Sequence, residues 1–245
     1  MQHDKMNTAE FFPLGDGAVL VEFGRGICPQ THQRVKAFAD YLESHPFDGF
    51  LEYTAAFSSV TVFYDPFYIE AQTEDIFQSV CKTLETMLSS LQQLQAKEPD
   101  IVEIPVYYGD AAGPDLEYVA SQHGLRPEEV IEIHTEGRYL VYMIGFAPGF
   151  PYLGGLSEKI ATPRRSSPRL VIPAGSVGIA GQQTGVYPIE TPGGWQLIGR
   201  TPLALFRPDQ AEPTLLQAGN IIRFRSITQR EYTELAKEAA VCRSK

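Results

Sequence analysis

The chain has 245 residues, 43% hydrophobic and 20% charged, which is enough apolar material for two modest domains or one large one and excludes disorder. A formal net charge of −10 repels nucleic acid and anionic membrane surfaces alike, so a general binder of either is excluded. The start carries no secretion signal, no apolar run is long enough to span a bilayer, and three separated cysteines (Cys28, Cys81, Cys242) suit a reducing compartment; a cytoplasmic protein is expected.

Taken in chain order, the first hundred residues have the rhythm of an α+β domain. Phe11–Leu14 and Ala18–Phe23 flank Gly15-Asp16-Gly17, a turn signal that predicts a hairpin. Pro29 opens a helix whose apolar positions Val35, Phe38, Ala39 and Leu42 share one face. Strands are predicted at Leu51–Ala56 and Ser59–Tyr64, the second alternating Val60, Val62 and Tyr64. A long helix over about Thr73–Gln95 follows, with Thr73 as its N-cap, Glu74 and Asp75 at its positive end, and Cys81 on its apolar stripe. Lys97-Glu98-Pro99-Asp100 is polar and Pro-marked, which places a domain boundary between 98 and 99.

The second part, 99–245, reads differently. Ile101–Tyr108 predicts a strand, two short helices follow near Asp115–Gln122 and Pro127–His134, and the apolar run Tyr139–Ala147 predicts a buried strand. From Gly145 to Pro202 the chain holds eleven of its 21 glycines and eight of its 18 prolines. Short apolar runs (Leu170–Ile172, Gly178–Ala180, Val186–Ile189, Gln196–Ile198) between those turn residues predict many short strands in a closed or sandwiched β-structure. A last strand is expected at Ile221–Phe224 and a helix from Gln229 to about Val241.

Charge supplies the chemical clue. Between Lys159 and Arg207 the basic residues are Lys159, Arg164, Arg165, Arg169, Arg200 and Arg207, and the only acid is Glu190. A buried guanidinium there needs an acid from elsewhere in the chain, a bound anion or a partner. Arg169 and Arg200, beside strand and glycine signals, are candidates to bind a carboxylate or phosphate; the others are candidates for solvated loops. The run Pro173–Gln183 pairs small residues with two amides, Gln182 and Gln183: it is either tight strand packing or a place where a ligand meets the backbone. Trp195 is either a core anchor or a pocket wall. The five histidines have no ligand-like spacing; His32, on the first helix, and His123, before a glycine stop, are expected at the surface or in caps, and no metal site is expected. No phosphate loop, dinucleotide fingerprint, CxxC, nucleophile elbow, biotin-attachment site or Ser/His/Asp set occurs, so catalytic residues stay unassigned and a subunit that shares its site is expected.

The string Gly145-Phe146-Ala147-Pro148-Gly149-Phe150-Pro151-Tyr152-Leu153-Gly154-Gly155-Leu156 resembles the signature of the 5-oxoprolinase B-subunit family, also called allophanate hydrolase subunit 1 or kinase A inhibitor (KipI). Thr162-Pro163-Arg164-Arg165, Pro168-Arg169, Ile172–Gly181, Thr184–Pro188 and Thr191–Pro202 match in order and spacing, so the resemblance covers essentially the whole chain. It implies an α+β protein in which an N-terminal α/β sandwich domain precedes a C-terminal cyclophilin-like β-barrel. It implies two kinds of partner, the KipA-like C subunit and the A subunit of 5-oxoprolinase, and a reaction opening 5-oxoproline to L-glutamate at the expense of ATP. With no phosphate loop here, ATP is assigned to another subunit, and no cofactor, nucleic acid or membrane to this one. Arg169, Arg200, Gln182, Gln183 and Tyr187 are then the substrate or anion candidates. Phe146, Phe150, Tyr152, Arg164, Arg165 and Trp195 are the pocket or interface candidates. Two alternatives follow from the same family. One is inhibition of a sporulation histidine kinase, with Phe146, Phe150, Tyr152 and Trp195 as a docking surface. The other is a place in a urea carboxylase-like complex, disfavoured because no biotin carrier is present.

Overall fold

The computed structural model describes residues 9–26, 28–69, 75–91 and 99–242, and the chain divides into two compact units, Met1–Glu98 and Pro99–Lys245. The first unit runs β1 (Glu10–Pro13), β2 (Ala18–Glu22), α1 (Pro29–Ser44), β3 (Phe50–Ala55), β4 (Ser59–Tyr64), a 3₁₀ turn (Pro66–Tyr68) and α2 (Ile76–Leu91). Its strands form one antiparallel sheet in the order β1-β2-β4-β3. Alternation sends Val19, Val21, Val60 and Val62 to one face, where they bury against Phe38 and Leu42 of α1 and Leu84 of α2. Cys81 packs at the margin of this core, and burial pushes its thiol up to about 11.

Two expectations change in this unit. His32, expected at the surface, is only 2% exposed, because position 32 falls one turn before Val35 on the buried stripe of α1. The described start of α2 is capped by Asp75, whose carboxylate accepts from the Phe77 and Gln78 amides at 2.9 and 3.4 Å. Thr73 and Glu74, and the helix residues expected at 92–95, lie outside the described residues.

The second unit runs β5 (Ile101–Tyr108), α3 (Leu116–Gln122), α4 (Pro127–Glu136), β6 (Tyr139–Ile144), β7 (Pro151–Gly154), a 3₁₀ turn (Glu158–Ile160), β8 (Arg169–Ile172), β9 (Ser176–Ala180), β10 (Gln183–Val186), β11 (Thr191–Gly193), β12 (Gln196–Arg200), β13 (Ile221–Ser226) and α5 (Gln229–Cys242). Seven strands close into a barrel, β10-β7-β6-β13-β5-β12-β9, and β8 pairs with β11 in a separate ribbon. Closure gives each barrel strand a neighbour on both sides. Of the barrel pairs, β5 and β13 run parallel.

The barrel core holds Ile104, Val106, Tyr139, Val141, Leu153, Val177, Ile179, Ile198 and Ile222, joined by Leu116 and Val119 of α3 and Val130 of α4. α5 starts from a reciprocal cap in which Thr228 Oγ1 accepts from the Glu231 amide and Glu231 accepts from the Thr228 amide. The molecule is therefore of the α+β class expected, with a β-barrel as its second unit. Some strands differ: the run Tyr139–Ala147 is strand only to Ile144, and β10 spans Gln183–Val186 where Val186–Ile189 was expected. The pairs Gln183↔Ala180 and Val186↔Val177 set this register around the turn at 181–182, and Pro188 has no amide to extend it.

Candidate functional site

The arginine-rich segment finds its acid outside itself, in Asp115. Strand β5 stops pairing with β12 at Gly199, opposite Tyr108, and the chain then folds back along β12. Asp115 continues the ladder: its amide donates to the Leu197 carbonyl at 2.9 Å and its carboxylate accepts from the Leu197 amide at 2.7 Å. Gly113 allows this close approach, since a Cβ there would stand 2.0 Å from the Ile198 carbonyl oxygen. The same carboxylate accepts two bonds from Arg169, both 2.8 Å, and one from Arg165 at 3.0 Å. Asp115 is 4% exposed, so its charge is desolvated and fully paired. Removing one partner from such a buried ionic cluster typically costs about 3–5 kcal/mol.

One carboxylate faces two bonded guanidinium groups, and a third is at hand. The Tyr187 phenol is pushed up to about 12 by burial, against the pull of the Trp195 backbone amide and of the charges on Arg164 and Arg169. Arg164 is exposed and makes no side-chain hydrogen bond or ion pair with any described residue. This edge of the barrel thus carries surplus positive charge in a protein whose total is −10.

Beside it lies an aromatic cluster of Phe150, Tyr187 and Trp195 with Ile172, Ala180 and Leu197, all buried. Phe150 meets Trp195 edge to face at 5.7 Å and Tyr187 at 5.5 Å. The indole occupies space left by two paired glycines. A Cβ on Gly185 would lie 3.0 Å from the Trp195 ring, and one on Gly178 would lie 3.1 Å from its Cβ. The glycine run is therefore filled by a tryptophan of the same chain, and Trp195 is a core anchor.

The structure brings together Arg165, Arg169, Tyr187 and Trp195, with Arg164 beside them. Arg200 makes no bond to Asp115, and it lies across Ser176 from Tyr187, whose amide donates to the Ser176 carbonyl at 2.9 Å. Arg200 sits opposite Ser176 at the far end of β12 and donates from Nε to the Ala174 carbonyl at 2.8 Å. It is three residues beyond the Leu197 amide that Asp115 grips, roughly 10 Å along the strand. Gln182 lies in the turn joining β9 and β10 and Gln183 at the start of β10, next to Gly181, which bridges to Thr162. Phe146, Phe150, Tyr152 and Trp195 do not form one open face. Phe150 and Trp195 are 2% and 6% exposed, while Phe146 is 69% exposed, in a left-handed conformation with φ of 67°.

Sequence reasoning missed Asp115 and Gln196. The need for an outside acid was legible in the charge imbalance, but nothing local distinguishes Asp115 from a helix-starting aspartate. Gln196 follows Trp195 as the first residue of β12 and is 3% exposed. Its Nε2 donates to the Pro163 carbonyl at 2.9 Å, while its Oε1 is buried without a partner, as is Arg165 Nε. A buried polar atom left unmet costs about 1–3 kcal/mol.

A second buried polar set lies in the barrel core. His134 Nε2 stands 2.9 Å from Thr184 Oγ1, which donates in turn to the Gly178 carbonyl; the ring nitrogen therefore carries the proton. Nδ1 is left to accept from the Tyr108 hydroxyl at 2.7 Å. Burial pushes the imidazole down to about 3 and leaves it neutral. Among the described residues no group of three or more His, Cys, Asp or Glu could hold a metal, and no helix is long and apolar enough to cross a membrane.

Comparison with known proteins gives the chain relatives. Residues 9–216 match the family model for the carboxyltransferase domain, subdomain C and D. The B subunit of 5-oxoprolinase from Bacillus subtilis is 54% identical over 230 residues, covering 92% of this chain and 96% of that protein. The crystal structure of TTHA0988 superposes with a TM-score of 0.74 at 34% identity, covering 86% of this chain and 40% of that one. The urea amidolyase of Kluyveromyces lactis shares the fold at 20% identity and a TM-score of 0.73, over 99% of this chain and 16% of that one.

Proposed function

We infer, from the premise that this chain belongs to the 5-oxoprolinase B-subunit family, that it is the B subunit of a 5-oxoprolinase and that its barrel supplies the cationic edge receiving the substrate carboxylate. The observation that carries the site is the charge count at Asp115. Arg165 and Arg169 bring two positive charges to one negative, and Arg164, next in sequence and acting on the Tyr187 phenol, is uncommitted. A guanidinium binds a carboxylate through two parallel N–H bonds, so Arg164 is the group that takes it, with Arg165 and Arg169 adding field. Arg200, some 10 Å away along β12, lies outside this site.

The chain works as one part of a complex. TTHA0988 carries this fold within a chain of which it accounts for 40%, so the fold has a setting in which it adjoins further protein. We assign the ring-opening machinery to the assembly with the A and C subunits, with ATP consumed at another subunit. The barrel's part is to hold 5-oxoproline by its carboxylate. Reconstitution tests this. Together with this chain, the A and C subunits should hydrolyse ATP in response to 5-oxoproline, and full turnover by those two alone contradicts the proposal.

A further inference from the structure

We propose that Gln196 and Arg165 read the lactam edge of 5-oxoproline, Gln196 Oε1 accepting the ring N–H and Arg165 Nε donating to the ring carbonyl; this rests on the function proposed above. Two polar atoms of opposite character, Arg165 Nε and Gln196 Oε1, are buried without partners on two segments that cross. The Arg165 amide donates to the Gly194 carbonyl at 2.7 Å, and Gln196 Nε2 donates to the Pro163 carbonyl. These bonds lay 163–165 along 194–196 and place both side chains in the same crossing. The Nε2 bond also fixes which end of the amide is unmet, because a flipped Gln196 would set oxygen against the Pro163 oxygen. The unmet end is an acceptor. Arg165 Nε is a donor, and its Nη1 is already held by Asp115.

A five-membered lactam is locked cis, so its N–H and C=O lie side by side on one edge. That edge offers a donor to Gln196 and an acceptor to Arg165. Hydrolysis adds hydroxide to the carbonyl carbon and a proton to the ring nitrogen as the C–N bond breaks. The product amine and carboxylate no longer form that edge, so the match is lost as the ring opens. Arg165 Nε also faces the carbonyl oxygen on which charge gathers during attack, where a positioned donor is most effective.

The test uses the reconstituted complex and a ring-oxygen analogue of 5-oxoproline, the lactone that keeps the carboxylate and carbonyl but has no N–H, as a competitive inhibitor. With the natural chain, 5-oxoproline should bind about tenfold more tightly than the lactone. In Gln196→Met, which keeps length without an acceptor, the ratio should collapse towards one while lactone affinity holds. An unchanged ratio in a variant that folds and assembles overturns the inference. If Gln196→Met does not fold, Gln196→Asn, which withdraws the same amide by one methylene, gives the same readout. Loss of all turnover with the natural chain would instead refute the proposed function.

Discussion

The barrel unit contains two buried polar centres, and they differ in closure. In the core, Tyr108, His134, Thr184 and the Gly178 carbonyl form a chain in which each donor meets an acceptor and no charge is present. At the Asp115 edge the carboxylate is fully paired, yet its surroundings keep surplus positive charge, an unpaired amide oxygen and an unpaired guanidine N–H. Burial marks both centres. What separates a structural network from a binding site is whether anything is left over, and only the second has a remainder.

Substitutions sharpen this contrast. The largest effect is expected at Asp115. Asp115→Ala strips the partner from Arg165 and Arg169 and the acceptor from the Leu197 amide, and should lower stability by about 3–5 kcal/mol in denaturant unfolding. A loss under about 1 kcal/mol would mean that the pairs are solvated and the edge is not a built site. Next is Gly185→Ala, which presses a methyl against the Trp195 ring and should cost about 1–3 kcal/mol, with a matching change in tryptophan fluorescence. Unaltered stability and emission would show that the indole has room to spare for a ligand.

The smallest effect is a pH slope from the closed centre. His134 titrates near 3 in the folded protein against an ordinary value near 6.5 in the unfolded chain. Between those values the unfolded chain binds a proton that the folded chain refuses. Stability is therefore fully present above about 6.5 and falls as pH drops towards 3. From about pH 7 to 5 the natural chain should lose on the order of 1–2 kcal/mol more than His134→Gln. Equal losses in both would mean that the imidazole takes up a proton while folded and the network is open.

Much of the fold was legible because its signals are local. Period-two alternation gave Ser59–Tyr64 to the residue, the strand at Ile101–Tyr108 also matched, and Pro29 and Pro127 opened helices where expected. The glycine-dense region read correctly as short strands of a closed β-structure, but the place of Trp195 against the paired Gly178 and Gly185 was not legible, because only register creates that pair. The site was legible as an imbalance rather than as a place. Arg164, Arg165 and Arg169 stood out by charge, whereas Asp115 lies 50 residues from Arg165 and 82 from the Leu197 amide it grips. Arg200 looked equivalent to Arg169 in sequence; the strand separates them.

The uncommitted charge is the feature everything else at this edge serves, and Arg164 tests it most directly. In the reconstituted complex, Arg164→Ala should leave the melting temperature of the chain unchanged and lower kcat/KM for 5-oxoproline by about 10- to 100-fold, with Arg200→Ala affecting it far less. Normal kcat/KM in Arg164→Ala, or a larger loss in Arg200→Ala, would contradict a carboxylate held beside Asp115.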